Sequence, residues 1–219
     1  MMKCRCLLPV LMFISILMVG NSNAQSFIQA KGPLKGGVLL AYAAQTRVNQ
    51  YFVDKLGHHL SQFGWSVLLL PLPSAENTEW EAILAEQLAV IRKKSNSRVI
   101  LITYAMPWEP LRQYFLKPQS KQVSGLVLLS AVNEKVEVSE TAPLQTRLRF
   151  PVFDIVAQFD YPSVLEAWME RKKARYKRYL TMKIPGGQHG YTYQERMLGE
   201  ALNDWMLRLP KPKVYRSPL

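Results

Sequence analysis

A recurring pair limits the fold most: a run that is apolar on both faces, followed by a stretch with helical spacing. Val99-Ile100-Leu101-Ile102 is apolar at every position and lacks the polar alternation of a half-wetted strand. Gly36 to Ala44, Trp65 to Leu70, Val123 to Val132 and Phe150 to Phe159 read the same way, and Thr181 to Ile184 gives a short last strand. Val48, Phe52, Leu56 and Leu60 recur every four residues, with Tyr51 and Phe63 on the same side of that helix. Trp80, Ile83, Leu84, Leu88 and Ile91 form a second stripe, opened by a capping box of Thr78 and Glu81. A basic helix is expected over residues 163–180. A last helix, capped by Thr192 and Glu195, carries Leu198, Ala201, Leu202, Trp205 and Leu209 and stops at Pro210. Strands and helices in this alternation predict an α/β fold, a mainly parallel sheet of about six strands with helices on both faces. Residues 133–149 have no period and read as a loop or small insertion.

The first 24 residues stand apart. Lys3 and Arg5 precede an apolar run from Leu7 to Val19, and Ser22-Asn23-Ala24 offers small residues where a signal peptidase reads. The expectation is a secretory signal peptide over 1–24, an uncleaved N-terminal anchor being the alternative. A single domain over 25–219 then remains, with its core over about 36–209 and a basic tail over 210–219. Both cysteines, Cys4 and Cys6, fall inside the leader. The exported chain therefore has no thiol for a disulfide, a nucleophile or a Cys-based metal site. These features point to the periplasm.

Charge narrows the partners. The whole chain carries +12, and Lys3 and Arg5 are the leader's only charged residues, so the remainder carries +10. Such an excess favours anionic surfaces or acidic partners; it does not by itself imply nucleic acid, and none is expected of an exported protein. The stretch EAWMERKKARYKRYL concentrates it. On one helix, Leu165, Trp168, Met169, Tyr176 and Leu180 would face inward. Arg171, Arg175 and Arg178 would line one edge, either as a solvated face or as a docking stripe for anionic headgroups or an acidic protein. Lys172, near the apolar side, would need a carboxylate partner or would snorkel outward. His58 and His59 are helix neighbours about 100° apart and cannot face one metal together, so no metal site is expected, and no cofactor. Partial burial of His59 beside Phe63 is expected instead.

Several stretches resemble the α/β-hydrolases. GWSVLLLPLP looks like that family's second core strand with its Pro-rich turn, and VILITYAMPW falls at the nucleophile elbow. GLVLLSA follows as the next strand, PVFDIVAQFD as the acid-bearing strand, and PGGQHGYT as the catalytic His loop. More narrowly, the chain is similar to small exported members known only as domain of unknown function 3530. The order of Ser position, Asp and His is the informative part. In the elbow G-x-S-x-G the nucleophile sits on a sharp turn, and glycines let strand and helix approach. Aligned here, the Gly positions are Thr103 and Pro107, and the nucleophile position is Ala105. A one-residue slip would offer Tyr104, which needs an activated phenol; Thr103 would have Leu101 and Ala105 as flanks.

The resemblance implies that Asp160 is the acid and His189 the base of the triad. Read from the residues alone, Asp160 is equally a polar residue leading into a helix, and His189 a loop histidine bonded to a carboxylate that could be Asp160. The family often has His-Gly after its early strand, where this chain has Tyr42 and Ala43. Their backbone, with that of Met106, marks the oxyanion-binding position. Two functions follow: a non-catalytic exported protein used in binding or assembly in the cell envelope, or an esterase- or lipase-like hydrolase. The second would need an unidentified nucleophile, or water activated by Asp160 and His189.

Overall fold

The computed structural model describes residues 26–43, 47–73, 79–95, 98–117, 123–133, 148, 150–173 and 178–210. The elements run β1 (Ser26–Ile28), β2 (Gly36–Ala43), α1 (Arg47–Gln62), β3 (Trp65–Leu72), α2 (Trp80–Lys94) and β4 (Val99–Tyr104). They continue α3 (Trp108–Leu116), β5 (Gly125–Leu129), β6 (Val152–Phe159), α4 (Pro162–Lys173), β7 (Tyr179–Gln188) and α5 (Glu195–Arg208). The strands form one sheet in the order β1-β3-β2-β4-β5-β6-β7, parallel except for β1, which runs against β3. The expected parallel α/β architecture is the one found.

Strand parity explains why the runs are apolar throughout. Along β2, Val38, Leu40 and Tyr42 pack under α1 and α5, while Leu39 and Ala41 pack on the α2 and α3 side. Both sets are buried, and each large aliphatic side chain removed from water contributes about 1.5–3 kcal/mol. Two glycines permit the close spacing. A Cβ on Gly37 would lie 2.7 Å from the Ile91 side chain of α2, and Gly64 makes the α1–β3 turn at φ 90°.

Several expectations are corrected. β1 adds a seventh strand that three residues could not announce. Tyr51 is 58% exposed, because α1 turns Phe52 and Val53 inward instead. The second helix has Glu79 at its N-cap with no side-chain cap bond, and Thr78 lies outside the described residues. The last helix begins at Glu195 behind Gln194, so Thr192 is too early to cap it. The basic helix is described from Pro162 to Lys173, and Tyr179 to Gln188 pairs with β6 as a strand, longer than the short one expected. Leu180 and Met169 are therefore about half exposed, while Tyr176 lies outside the described residues. Two expectations are met: His59 is half-buried, and Lys172 reaches outward with Nζ 4.9 Å from the Trp168 ring.

Candidate active site

The carboxyl ends of β4, β5 and β6 and the loop after β7 meet at one end of the sheet, where open α/β sheets hold their ligands. β4 ends at Tyr104, and Ala105 follows with φ 53°, a left-handed conformation that costs a non-glycine residue about 1–2 kcal/mol. The turn is pinned to its neighbour strand. Ala105 N–H donates to the Leu129 carbonyl at 2.9 Å, Trp108 N–H to Val132 at 2.8 Å, and Val132 N–H to the Met106 carbonyl at 3.2 Å. Pro107 caps α3 with its ring-fixed φ of −66°. The chain thus makes the sharp strand-to-helix corner, with a methyl group where an elbow carries its nucleophile.

Asp160 leaves the end of β6 and is buried. Its Oδ1 lies 2.7 Å from His189 Nδ1 and accepts from Tyr161 N–H at 2.9 Å. Its Oδ2 accepts from the Ser130 hydroxyl. Burial alone would raise the Asp160 pKa, but the bonds from His189 and Ser130, with the charge of His189, hold it below the ordinary carboxylate value. An ionised carboxylate only accepts, so Nδ1 carries the hydrogen, and in the neutral ring Nε2 is the nitrogen with the lone pair. That is the tautomer a general base requires.

The hydroxyls of Ser130, Tyr104 and Thr103 are each committed to a protein partner. Ser130, at φ 48° after β5 and fully buried, gives its hydrogen to Asp160 and lies 2.7 Å from Tyr191 Oη, from which it can then only accept. Tyr104 Oη donates to the His189 carbonyl at 3.1 Å. Burial, then the nearby Asp160 and Tyr161, push its pKa well above that of a free phenol, the opposite of activation. Thr103 is buried, with Oγ1 on the Val127 carbonyl at 3.3 Å. Ser130 and Tyr191 were not singled out in the sequence, although a lone Ser ending the apolar run GLVLL was a usable signal.

Of the other expected residues, Tyr42 is buried beside Tyr104 in register, and Ala43 ends β2 half-buried. Met106 is buried on the α2 and α3 side of the sheet. The arginine stripe is not assembled as expected. Arg171 points inward, 2% exposed, with Nε 2.8 Å from Asp154 Oδ2. Arg175 lies outside the described residues, and Arg178 is in a turn immediately before β7. Among the described residues no three His, Cys, Asp or Glu side chains are grouped to hold a metal ion.

The fold is that of the α/β-hydrolases. The chain is similar to Est1E from Butyrivibrio proteoclasticus, at 14% identity and a TM-score of 0.63 over 84% of this chain and 92% of that one. It is similar to dienelactone hydrolase from Anabaena variabilis, at 14% identity and a TM-score of 0.63 over 85% and 92%. An α/β serine hydrolase homologue from Coxiella burnetii matches at 12% identity and a TM-score of 0.62 over 82% and 89%. At such identities the likeness concerns the fold. No protein-family description and no curated protein matches the chain.

Folding depresses the Asp160 pKa, so the stability this group adds is complete above the unfolded carboxylate value, about 4. It is lost as the pH falls through the lower folded value. The gap in Tm between wild type and Asp160→Asn should therefore be widest near neutrality and close in acid. A gap that stays constant down to about pH 2 would contradict this assignment.

Proposed function

We propose that this chain is an exported binding or assembly protein of the cell envelope, built on the α/β-hydrolase scaffold without its nucleophile. Ala105 carries the reading: it occupies the left-handed corner after β4, and its methyl group cannot attack a carbonyl. Thr103, Tyr104 and Ser130 support it, since each hydroxyl is already donated to a protein acceptor. What remains at this end favours holding a ligand over transforming it. Tyr161 packs its ring 4.5 Å from that of His189, Phe159 is exposed, and Tyr193 is 95% exposed at φ 65°. Open aromatic faces beside a polar pair suit a ligand with flat apolar surfaces. The leader Lys3 to Ala24 and the order of the motifs support export and kinship with the exported members of unknown function.

The His189–Asp160 pair favours a second reading, a hydrolase that activates water. Short acyl esters and a serine-directed phosphonate decide between them. We expect neither turnover nor labelling from the purified exported chain. Turnover that disappears in His189→Ala would overturn the non-catalytic reading and establish the second.

A further inference from the structure

The end of the sheet opposite His189 has a different chemistry. In a parallel sheet covered by helices, the strand amino ends and the helix carboxyl ends share one face, and on it cations outnumber the acids Glu170 and Asp204. The first turns of α2, α3 and α5 hold Glu81, Glu109 and Glu195, at the His189 end. The last turns of α2, α4 and α5 hold Lys93, Lys94, Lys173 and Arg208, at the other end. Lys31 and Lys35 join these four from the loop that leads into β2. All six are exposed, and none forms an ion pair with a described carboxylate. Compensation of helix dipoles accounts for a cation in a last turn, at about 0.3–1 kcal/mol each. It does not account for Lys31 and Lys35, which belong to no helix.

Hydrogen bonds tie the Lys31–Lys35 loop to the α1–β3 turn, and the residue before β4 to the end of α5. Lys31 N–H donates to Ser61 and Lys35 N–H to Gly64, both at 2.8 Å, and Arg98 Nη2 donates to the Leu209 carbonyl at 3.2 Å. Two large aliphatic side chains stand in the open among the cations: Leu34, between Lys31 and Lys35, is 43% exposed, and Leu207, beside Arg208, is 45% exposed. Lysines attract an anionic lipid surface by about 1 kcal/mol each, and exposed leucines enter the boundary below the headgroups. A soluble polyanion would use the cations and leave the leucines in water. The leucines therefore select the lipid.

We propose that the strand amino-end face docks on an anionic phospholipid bilayer and holds the His189 end away from it. This holds whether that end hydrolyses a ligand or only binds it. The surface replaces the arginine stripe of α4, whose Arg171 is buried.

The chain that cleavage after Ala24 would leave, from Gln25 onward, is the form to test. It is sedimented with phosphatidylglycerol–phosphatidylethanolamine vesicles and, separately, with phosphatidylcholine vesicles. Retention is expected on the first only, falling at least tenfold when salt is raised to about 0.5 M. The quadruple variant Lys31→Gln, Lys35→Gln, Lys93→Gln, Lys94→Gln should bind at least tenfold more weakly. Leu34→Ser should weaken binding several-fold with Tm unchanged, and Arg196→Gln, whose side chain pairs with Glu200 on α5, should bind as wild type. An environment-sensitive probe on Leu34→Cys should shift to the blue on anionic vesicles, and one on Tyr193→Cys should not. Equal binding to phosphatidylcholine, indifference to the quadruple variant, a shift at Tyr193→Cys alone, or capture of soluble polyphosphate without retention on vesicles would each overturn the proposal.

Discussion

Arg171→Met should destabilise the protein by about 3–5 kcal/mol, the cost of leaving a buried charge without its partner. In a domain of this size that lowers Tm on the order of 10 °C. Asp154 is fully buried at an inward-facing position of β6. Arg171 reaches it from α4 with two nitrogens, Nε at 2.8 Å from Oδ2 and Nη2 at 3.3 Å from Oδ1, and Nη1 bonds Asn133 Oδ1 at 3.2 Å. The Tyr179 hydroxyl of β7 also donates to Asp154. Burial works against the guanidinium, yet the Asp154 charge and hydrogen bonds prevail and hold the Arg171 pKa above its ordinary value. Methionine keeps much of the arginine's length and none of its charge, so it strands the carboxylate. The double variant Asp154→Leu, Arg171→Met removes both charges and should recover most of the loss, because a matched apolar pair commonly equals a buried ion pair. Chemical denaturation of the wild type, the single and the double variant tests this. A double variant no more stable than the single one would show that the ion pair is not the source of the effect.

That pair also marks where the sequence was legible and where it was not. The parallel sheet could be read because burial on both faces demands apolar residues at every strand position, and no other common architecture does. By the same parity, Asp154 lies between Val152 and Val156 and had to face inward with them, so it needed a cation. The cation was misassigned because Arg171, Arg175 and Arg178 repeat at near-helical spacing, and a charge run looks solvated when its partner is distant in sequence. β6 pairing then drew residues from Tyr179 onward into a strand, where a helix through Leu180 was expected. Caps failed for a local reason: Gln194, not Thr192, precedes α5, and its side-chain amide donates to the Pro185 carbonyl. At the site, Asp160 and His189 could be placed by motif order. The left-handed turns at Ala105, Ser130, Tyr191 and Tyr193 could not, since none is a residue type that favours φ above zero. The turns at Ala105, Ser130 and Tyr191 are held by bonds to residues distant in sequence, and such bonds leave no local trace.

The second large effect is a gain. Ala105→Ser should be labelled by a serine-directed phosphonate, approaching one probe per molecule, where no labelling of the wild type is expected. Three parts of the chemistry are already in place. The corner has the left-handed φ of 53° that aims a side chain out of the strand, and serine tolerates it no worse than alanine. Asp160 holds His189 through Nδ1, leaving Nε2 free to take a hydroxyl proton. Tyr104 ties the elbow to the His loop through its bond to the His189 carbonyl, with the two rings 5.7 Å apart. Turnover of short acyl esters should appear and remain slow, because Thr103 and Pro107 stand where an elbow has glycines and the corner keeps its present tightness. Adding His189→Ala to Ala105→Ser should slow labelling by about 10²–10⁴-fold, the range of a positioned general base. Mass spectrometry of the probe-treated variants, with Tm confirming that each is folded, gives the answer. A folded Ala105→Ser chain that stays unlabelled would mean that Ala105 and His189 do not share a site, and the hydrolase-derived reading of both would fail. Labelling that depends on His189 would leave the missing hydroxyl as the feature that separates this scaffold from an acylating enzyme.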